Sequence, residues 1–401
     1  MECLDAVGII TIRFIMRIAI IHYHWFLQIH GKQIINALAK KGIHIDAYFI
    51  DMIDMYETLE FHKNVTVYKR KIDSASLRIL STFFHRIYRR LPFSRKIISF
   101  FFDMILLART KFLHPVNKYD LCIGIDSGGG LIAQKFSQES GCPYIYYSLE
   151  ISDQEDFSYE LLLGAISKKS LMSMEHASAV LIQDRSRADF LSQKVQVKKY
   201  IFLPVSVEKN NARGEKAGKI CLAFGNNHFF KEEDIVELSR KTPQNWKILF
   251  HNTNLSREKK IIEKYHIDNI IISEGFLPQN EIEDLIASSS VGLAFYGNWS
   301  ENEKRIIFSS EKVARYLSHG IPIITNTLGN ANTLFGEIPC GIAIEAISHI
   351  GSALQEIEKK YDQFSANAFL AFERYYNFDT NFQKIYPELL SISHTAMQKR
   401  N

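Results

Sequence analysis

The stretch "SSEKVARYLSHGIPIITN", residues 309–326, combines a helix boundary with the start of an apolar strand. Ser309 and Ser310 are suitable N-cap residues for the helix "EKVARYLSH", which the following Gly-Ile-Pro sequence would end. A helix N-terminus carries unpaired N–H groups and the positive end of the helix dipole, so it attracts anions. Lys312 would add a full positive charge. The stretch therefore predicts either an ordinary capped helix or a phosphate-binding site at its first turn.

The composition is that of a globular protein. The chain has 401 residues, 46% hydrophobic and 23% charged, which suits two domains better than one compact core. Its five cysteines are widely spaced, with no CxxC pair, which predicts free thiols in a reducing compartment and no metal site. The apolar start carries Arg13 and Arg17 and no cleavage-site pattern. We therefore predict a cytoplasmic protein without a signal peptide or a membrane span.

Short apolar runs alternate with amphipathic segments of helix length along the whole chain. Runs without polar alternation indicate strands covered on both faces, and the repeated strand-helix-strand rhythm indicates parallel sheets. Residues 205–219 are polar, contain glycine and have no hydrophobic period, so they form the best linker. We predict an α/β protein with two doubly wound Rossmann-like domains, residues 16–205 and 219–375, that face a central cleft. The predicted strands are "RIAII", "DAYFI", "VTVY", "LCIGI", "YIYYSL", "AVLIQ", "YIFLP", "ICLAFG", "WKILFHN", "NIIISEGF", "VGLAFY", "IPIITN" and "GIAIE".

Five segments, in the right order, resemble motifs of the nucleotide-sugar glycosyltransferases of the GT-B fold, in the family-four-like group. The family's helix ending in "YxxxGxP", followed by a strand, matches Tyr316, Gly320 and Pro322. The resemblance covers residues 16 to about 393, and it implies that the C-terminal segment, residues 376–401, crosses back to the first domain. The other matching segments are "GKQIINALAKKGIHIDAYFI", "ICLAFGNNHFFKEED", "SEGFLPQNEIEDLIASSSVGLAFY" and "FERYYNFDTNFQKIYPELL".

The resemblance implies a donor site in the second domain. The backbone at Ser309 and Ser310 would hold the distal phosphate of a nucleotide-diphosphate sugar, with a UDP-sugar favoured. In the family, a lysine six residues after the glycine of the first donor-domain strand neutralises the diphosphate, and here these residues are Gly225 and Lys231. No metal or other cofactor is implied, because the helix dipole and lysines replace a cation. The remaining implied residues are Phe276 and Leu277 beside the base, and Glu311 and Lys312 at the helix mouth.

Two positions depart from the family pattern. The arginine that follows the glycine is Asn226 here, and the Glu-x7-Glu pair falls on Ile307 and Arg315. An arginine has only hydrogen-bond donors, so it cannot accept from ribose hydroxyls. Either another acid takes this task or the donor is held differently. The acids near the helix mouth are Glu301, Glu303 and Glu311.

The first domain offers two acids at the ends of predicted strands. Asp126 and the glycines 128–130 follow "LCIGI", and Glu150 ends "YIYYSLE". An acid placed there could orient or deprotonate an acceptor hydroxyl, or it could cap a helix or lie on the surface. The glycines would either let a ligand approach the backbone or form a tight strand–helix turn. We predict Glu150 and Asp126 as candidate catalytic residues and a structural, helix-capping role for Asp184.

Residues 69–112 form a basic and aromatic segment. Between Lys69 and Lys96 there are nine Lys or Arg residues and one acid, a local net charge of +8 that leaves −4 for the rest of the chain. Such a segment forms either a helix pair with a solvated charged face or an interfacial surface for a membrane. No nucleic-acid-binding motif accompanies it. We predict peripheral contact with the inner face of the membrane and no binding of nucleic acid.

The combined prediction is a hexosyltransferase-type glycosyltransferase. It would move a sugar from a nucleotide-diphosphate sugar to a saccharide acceptor, lipid-linked, in surface polysaccharide or glycoconjugate biosynthesis. The resemblance favours retention of anomeric configuration, and the altered Glu pair leaves inversion open. The alternatives are a nucleotide-sugar epimerase of the same fold and a non-catalytic nucleotide-sugar-binding or partner subunit, which the missing Glu pair favours.

Overall fold

Two parallel β-sheets organise the chain. A computed structural model describes residues 16–22, 29–51, 60–71, 119–151, 169–209, 218–225, 229–298, 300–327 and 330–398. Within these ranges the first sheet contains β1 (Arg17–His22), β2 (His44–Asp51), β3 (Val65–Lys71), β4 (Leu121–Ile125), β5 (Tyr144–Tyr147), β6 (Ala179–Ile182) and β7 (Tyr200–Phe202). The second contains β8 (Ile220–Phe224), β9 (Lys247–Asn252), β10 (Ile270–Glu274), β11 (Val291–Leu293), β12 (Ile323–Asn326) and β13 (Gly341–Ile344). Every run predicted as a strand therefore forms a strand.

The strand order fixes where ligands can bind. The first sheet has the order β3-β2-β1-β4-β5-β6-β7 and the second has the order β10-β9-β8-β11-β12-β13. All the pairings are parallel, so the carboxyl ends of the strands lie on one edge of each sheet. The order reverses between β1 and β4 and between β8 and β11, and in such sheets a crevice opens at the reversal. The predicted doubly wound architecture is confirmed.

Helices cover both faces of each sheet, as the continuously apolar strands require. Apolar side chains from the strands and helices form two core clusters on each sheet. Among the described residues, the α-helices whose two ends are both defined are α1 (Ile29–Lys40), α2 (Asp126–Ser140), α3 (Arg185–Ser192), α4 (Glu232–Lys241), α5 (Ser256–Tyr265), α6 (Gln279–Ala287), α7 (Glu311–Ser318), α8 (Ala331–Glu337), α9 (Ile350–Lys359), α10 (Tyr361–Ala371) and α11 (Phe378–Gln398).

The last helix returns to the first sheet. Phe378, Phe382, Ile385 and Leu389 lie on one face of α11, at spacings of three and four residues, and are buried in a core cluster of the first sheet. The chain crosses between the sheets twice, and the two crossings pair: the N–H of Val207 donates to the carbonyl of Tyr376 over 3.0 Å, and the N–H of Phe378 donates back to Val207 over 3.1 Å. The predicted crossing of the C-terminal helix is confirmed.

Several predictions concern residues that are not described. Residues 72–112 of the basic segment and 210–217 of the linker lie outside the described ranges, so membrane contact and the exact domain limits stay predictions. The described cysteines, Cys122, Cys142, Cys221 and Cys340, are free and buried. No described helix combines the length and the apolar character needed to cross a bilayer.

Candidate active site

The helix α7 begins at the carboxyl edge of the second sheet, and Ser310 caps it. The Ser310 Oγ accepts a hydrogen bond from the N–H of Val313 over 3.2 Å and shares a second one with the hydroxyl of Tyr296. Ser309 belongs to the preceding 3₁₀ turn, where its hydroxyl donates to the carbonyl of Ile306 over 3.0 Å. The helix predicted in the opening stretch is confirmed, with Ser310 as its N-cap. The first-turn N–H groups and the dipole of α7 therefore face the carboxyl edge of the sheet.

Lys312 lies on the first turn of α7, beside the end of β8. Its Nζ is 5.8 Å from the centre of the Tyr296 ring, and a Cβ placed on Gly225 would lie 4.0 Å from its Cε. Gly225 follows β8 directly and has φ +76°, a left-handed conformation that favours glycine. Because the ammonium group is largely removed from water, the pKa of Lys312 is lowered to about 8. A cation therefore lies on the first turn of α7, at the reversal of the second sheet.

The other predicted donor-site residues lie around the same edge. Lys231 is exposed at the N-terminus of α4, where its N–H donates to the Asp234 carboxylate over 2.9 Å. Phe276 follows β10 and is 78% exposed, and Leu277 is half-buried. Asn226 lies outside the described residues. The described residues predicted for the donor site thus come from the ends of β8 and β10 and the starts of α4 and α7.

A buried network takes the place of the expected Glu-x7-Glu pair. Ile307 is fully buried in the core, and Arg315 has a side chain only 7% exposed. The Arg315 Nε donates to Glu311 over 2.7 Å, and its Nη1 pairs with Glu283. The other Glu283 oxygen lies 2.8 Å from His319 Nε2. Sequence reasoning missed Glu283. Its pairing depends on which face of α6 packs against α7, and the sequence of either helix alone does not show this.

The two predicted acids of the first domain come together at the carboxyl ends of β4 and β5. Asp126 has φ +54°, and its Oδ1 accepts hydrogen bonds from the N–H groups of Leu149, at 2.7 Å, and Glu150, at 3.1 Å. Desolvation, with the Glu150 charge second, raises the pKa of Asp126 to about 7. Desolvation also raises the pKa of Glu150, against the effects of Arg187 and a hydrogen bond from Asn302. Asp126 therefore shapes the loop that carries Glu150.

Comparisons with known proteins identify the fold of the chain. No family model and no curated protein matches the sequence. Among solved structures, the chain is similar to sucrose-phosphate synthase from Thermosynechococcus elongatus, with 12% identity, a TM-score of 0.67 and coverage of 94% of this chain and 99% of that one. The chain has the GT-B fold.

Two further solved structures share the GT-B fold with this chain. Anabaena HepE in complex with UDP has 11% identity and a TM-score of 0.61, and the match covers 93% of this chain and 100% of that one. The lipopolysaccharide outer core galactosyltransferase WaaB, in its apo form, has 14% identity and a TM-score of 0.59, with coverage of 94% and 99%. At these identities the comparison establishes the fold, and the chemistry depends on the residues of this chain.

In this GT-B chain the two halves meet at a buried arginine that the sequence did not single out. Arg187, on α3, is fully buried and donates within the first domain to the carbonyl of Leu149, at 2.8 Å, and to Gln183 Oε1, at 2.6 Å. It also donates to the carbonyl of Arg305, at 3.2 Å, and to Asn302 in the second domain. No local pattern marks this residue, because its second-domain partners lie more than one hundred positions away in the chain.

Asp184 and the glycines of α2 have structural roles. The Asp184 carboxylate caps α3 by accepting from the N–H of Arg187 over 3.1 Å, which confirms the predicted capping role. Gly129 and Gly130 are buried within α2. A Cβ on Gly129 would lie 2.4 Å from the carbonyl oxygen of Ile21, and one on Gly130 would lie 2.2 Å from the Tyr146 ring. The glycines therefore allow α2 to pack closely on the sheet.

Proposed function

We propose that this protein transfers a sugar from a nucleotide-diphosphate sugar to a saccharide acceptor. The observation that carries the proposal is the N-terminus of α7, where Ser310 caps the helix and Lys312 stands beside Gly225 at the reversal of the second sheet. A helix N-terminus with a cation next to it suits a diphosphate. HepE, which shares the GT-B fold, has been solved with UDP and with UDP-glucose, which supports a UDP-sugar as the donor.

Residues of this chain would act on the donor at its leaving group, the nucleoside diphosphate. As the bond to the sugar breaks, negative charge develops on the diphosphate, and the dipole of α7 with Lys312 and Lys231 would stabilise it. Phe276, an exposed ring at the carboxyl edge of the sheet, would border the base together with Leu277. Contact between the two domains would exclude water from the bond that breaks.

The acceptor would bind on the first domain, near Glu150 and Asp126. We infer retention of configuration from the resemblance to the family-four-like group, and inversion would instead use Glu150 or Asp126 as the base. A lipid-linked acceptor and membrane contact through residues 69–112 rest on the basic and aromatic pattern of that segment. WaaB, with the same fold, is named for lipopolysaccharide core synthesis, which is consistent with an acceptor of this class.

A non-catalytic nucleotide-sugar-binding subunit is the second candidate. It is favoured by the two positions where the family carries acids. One of them is Ile307, which is buried, and the other is Arg315, which is paired with Glu283 and Glu311. A protein that only binds would keep the phosphate site at Ser310 and need no acid against the donor sugar. The two candidates therefore share the donor site and differ in turnover.

The first experiment is a calorimetric titration with UDP, GDP and their common sugar conjugates. We expect one nucleotide to bind, and Lys231→Ala to weaken it about tenfold or more, because a charged hydrogen bond to phosphate is lost. Lys359→Ala is the matched control, since Lys359 is exposed at the end of α9. The neighbouring Glu358 pairs with Lys219, just before β8, which places the control at the opposite edge of the sheet.

Binding of none of these nucleotides would overturn the donor site. If Lys231→Ala and Lys359→Ala had the same effect on binding, Lys231 would not contact the nucleotide. The N-terminus of α7 would still be part of the proposed site. Release of UDP from a bound UDP-sugar in the presence of acceptor would support the transferase function over the non-catalytic binding function.

Glu311 is the acid that we propose for the hydroxyl groups of the donor. Glu301 is paired with both Lys304 and Arg305, whereas Glu311 is 39% exposed at the mouth of α7 and is oriented by Arg315. We expect the wild type to bind dUDP, which lacks one ribose hydroxyl, about tenfold more weakly than UDP. Glu311→Ala should bind the two equally, and the control Glu301→Ala should discriminate like the wild type.

Calorimetry with the two nucleotides measures this preference directly. If Glu311→Ala retained the full preference for UDP over dUDP, the carboxylate would have no contact with that hydroxyl. An equal loss of preference in Glu301→Ala would point instead to the segment before α7.

A further inference from the structure

One amide side chain of the second domain holds three groups of the first domain. The Asn302 Oδ1 accepts a hydrogen bond from the N–H of Ile151 over 3.1 Å and another from the Arg187 guanidinium. Its Nδ2 donates to the carboxylate of Glu150. Both ends of the amide are therefore used across the boundary between the two sheets.

Arg187 makes this contact costly to break. Its guanidinium is fully buried and lies close to the charges of Glu150 and Asp184. It donates to Leu149 and Gln183 in the first domain, and to Asn302 and Arg305 in the second domain. Separation of the two sides would leave a buried charge without part of its hydrogen bonds, which is strongly unfavourable. The Arg305 side chain adds a contact, since its guanidinium lies 4.6 Å from the centre of the Phe190 ring.

The segment that carries Asn302 leads directly into the phosphate-binding helix. Two consecutive 3₁₀ turns, Glu303–Arg305 and Ile307–Ser309, fill the interval between Asn302 and Ser310. The N–H of Ser309 donates to the carbonyl of Ile306 over 2.8 Å, and that of Ser310 donates to Ile307 over 3.4 Å. These turns connect Ser310 to Asn302 through a short, hydrogen-bonded segment, so we expect a displacement at Ser310 to reach Asn302.

We propose that Asn302, clamped by Arg187, is a positioning residue that couples the donor site at Ser310 to the carboxylate of Glu150. The inference rests on the proposed function, in that the donor binds at Ser310. When the donor is bound and the domains are in contact, Asn302 holds Glu150 in the orientation that meets the acceptor.

Hydrogen–deuterium exchange at the amide of Ile151 tests the coupling, with UDP as the probe. In the wild type, UDP is expected to slow this exchange about fivefold, the value of one net hydrogen bond. In Asn302→Ala the ligand-free exchange should be about fivefold faster than in the wild type, and UDP should bind without slowing it. Asn367→Ala, which removes an amide bonded to Pro339 on the second domain, is the control and should behave like the wild type.

Exchanging the amide of Asn302 and the carboxylate of Glu150 tests whether the hydrogen bond between them carries the coupling, as opposed to a general structural effect of the substitutions. Asn302→Asp keeps the acceptor for Ile151 and Arg187 but places a second carboxylate against Glu150, so the UDP response should be lost. Adding Glu150→Gln restores the hydrogen bond in the opposite direction, because the amide at position 150 can donate to the carboxylate at position 302. The slowing of exchange by UDP should then return. A response that stays absent in the double variant would overturn the proposal.

The outcomes distinguish this inference from the proposed function. Binding of UDP with no change at Ile151 would overturn the coupling and leave the donor site standing. Failure of UDP to bind the wild type would overturn the donor site and, with it, the coupling. In that case the ligand-free comparison would still measure the contact between Asn302 and Ile151.

Discussion

Replacing Lys312 with alanine is expected to weaken UDP binding about a hundredfold, because a charged hydrogen bond to phosphate is lost from a site of reduced hydration. The wild-type affinity is also expected to depend on pH. The pKa of Lys312 is lowered to about 8, so the ammonium is present below that pH and is lost above it. Bound diphosphate favours the charged form and raises this pKa. The affinity should therefore fall by about a factor of ten for each pH unit above about 8, until the pKa of the complex is reached.

Calorimetry from about pH 7 to about pH 9.5 measures both effects, and Lys312→Arg is the decisive comparison. An arginine stays charged throughout this range, so this variant should bind UDP with an affinity that barely changes with pH. Lys359→Ala should reproduce the wild-type pH dependence. The same slope in Lys312→Arg and in the wild type would show that another group titrates and that the ammonium of Lys312 does not set the pH dependence.

Gly129→Ala is expected to destabilise the first domain by about 3 kcal/mol or more. The added Cβ would lie 2.4 Å from the carbonyl oxygen of Ile21, an atom of the central strand β1 that cannot rotate aside. The preference of helices for alanine over glycine, about 1 kcal/mol, offsets only part of this cost. Relief of the overlap requires α2 to move away from the sheet, and Asp126 on its first turn would move with it.

Urea unfolding, followed by circular dichroism, measures this destabilisation, and Gly336→Ala is the control. Gly336 lies in α8 with nothing within 4 Å of an added Cβ. The same substitution there should stabilise the protein by up to about 1 kcal/mol, through the helix preference alone. If Gly129→Ala were as stable as the wild type, the packing of α2 would not need a glycine. The ligand-approach role considered from the sequence would then return.

Local sequence patterns predicted the elements because they are set by local physical chemistry. Strands such as β4, buried on both faces, require uninterrupted apolar runs, and the cap at Ser310 requires a small polar side chain before a helix. The resemblance assigned Lys312 and Gly225 to the same predicted donor site. These features depend on residues that are close in the sequence or fixed by a shared fold.

The cross-domain contacts could not be predicted in this way. Arg187 and Asn302 lie 115 positions apart, and neither stands in a pattern that distinguishes it from a surface residue. Arg315 was recognised as unsuited to bind ribose, but its partner Glu283 depends on how α6 packs on α7. For the glycines of α2 the sequence left two roles open, and the distance to Ile21 decides between them. Such contacts follow from tertiary packing, which short segments do not encode.

The position of α11 sets the order in which the protein can be completed during synthesis. The last helix, 21 residues long, supplies Phe378, Phe382, Ile385 and Leu389 to the core of the sheet that is translated first. Helix α1 packs on the same face of that sheet, but until α11 is translated the part of the face that α11 covers stays exposed. The core of the first sheet is therefore completed only once α11 has been translated, and a truncation that removes α11 is expected to damage the domain translated before it.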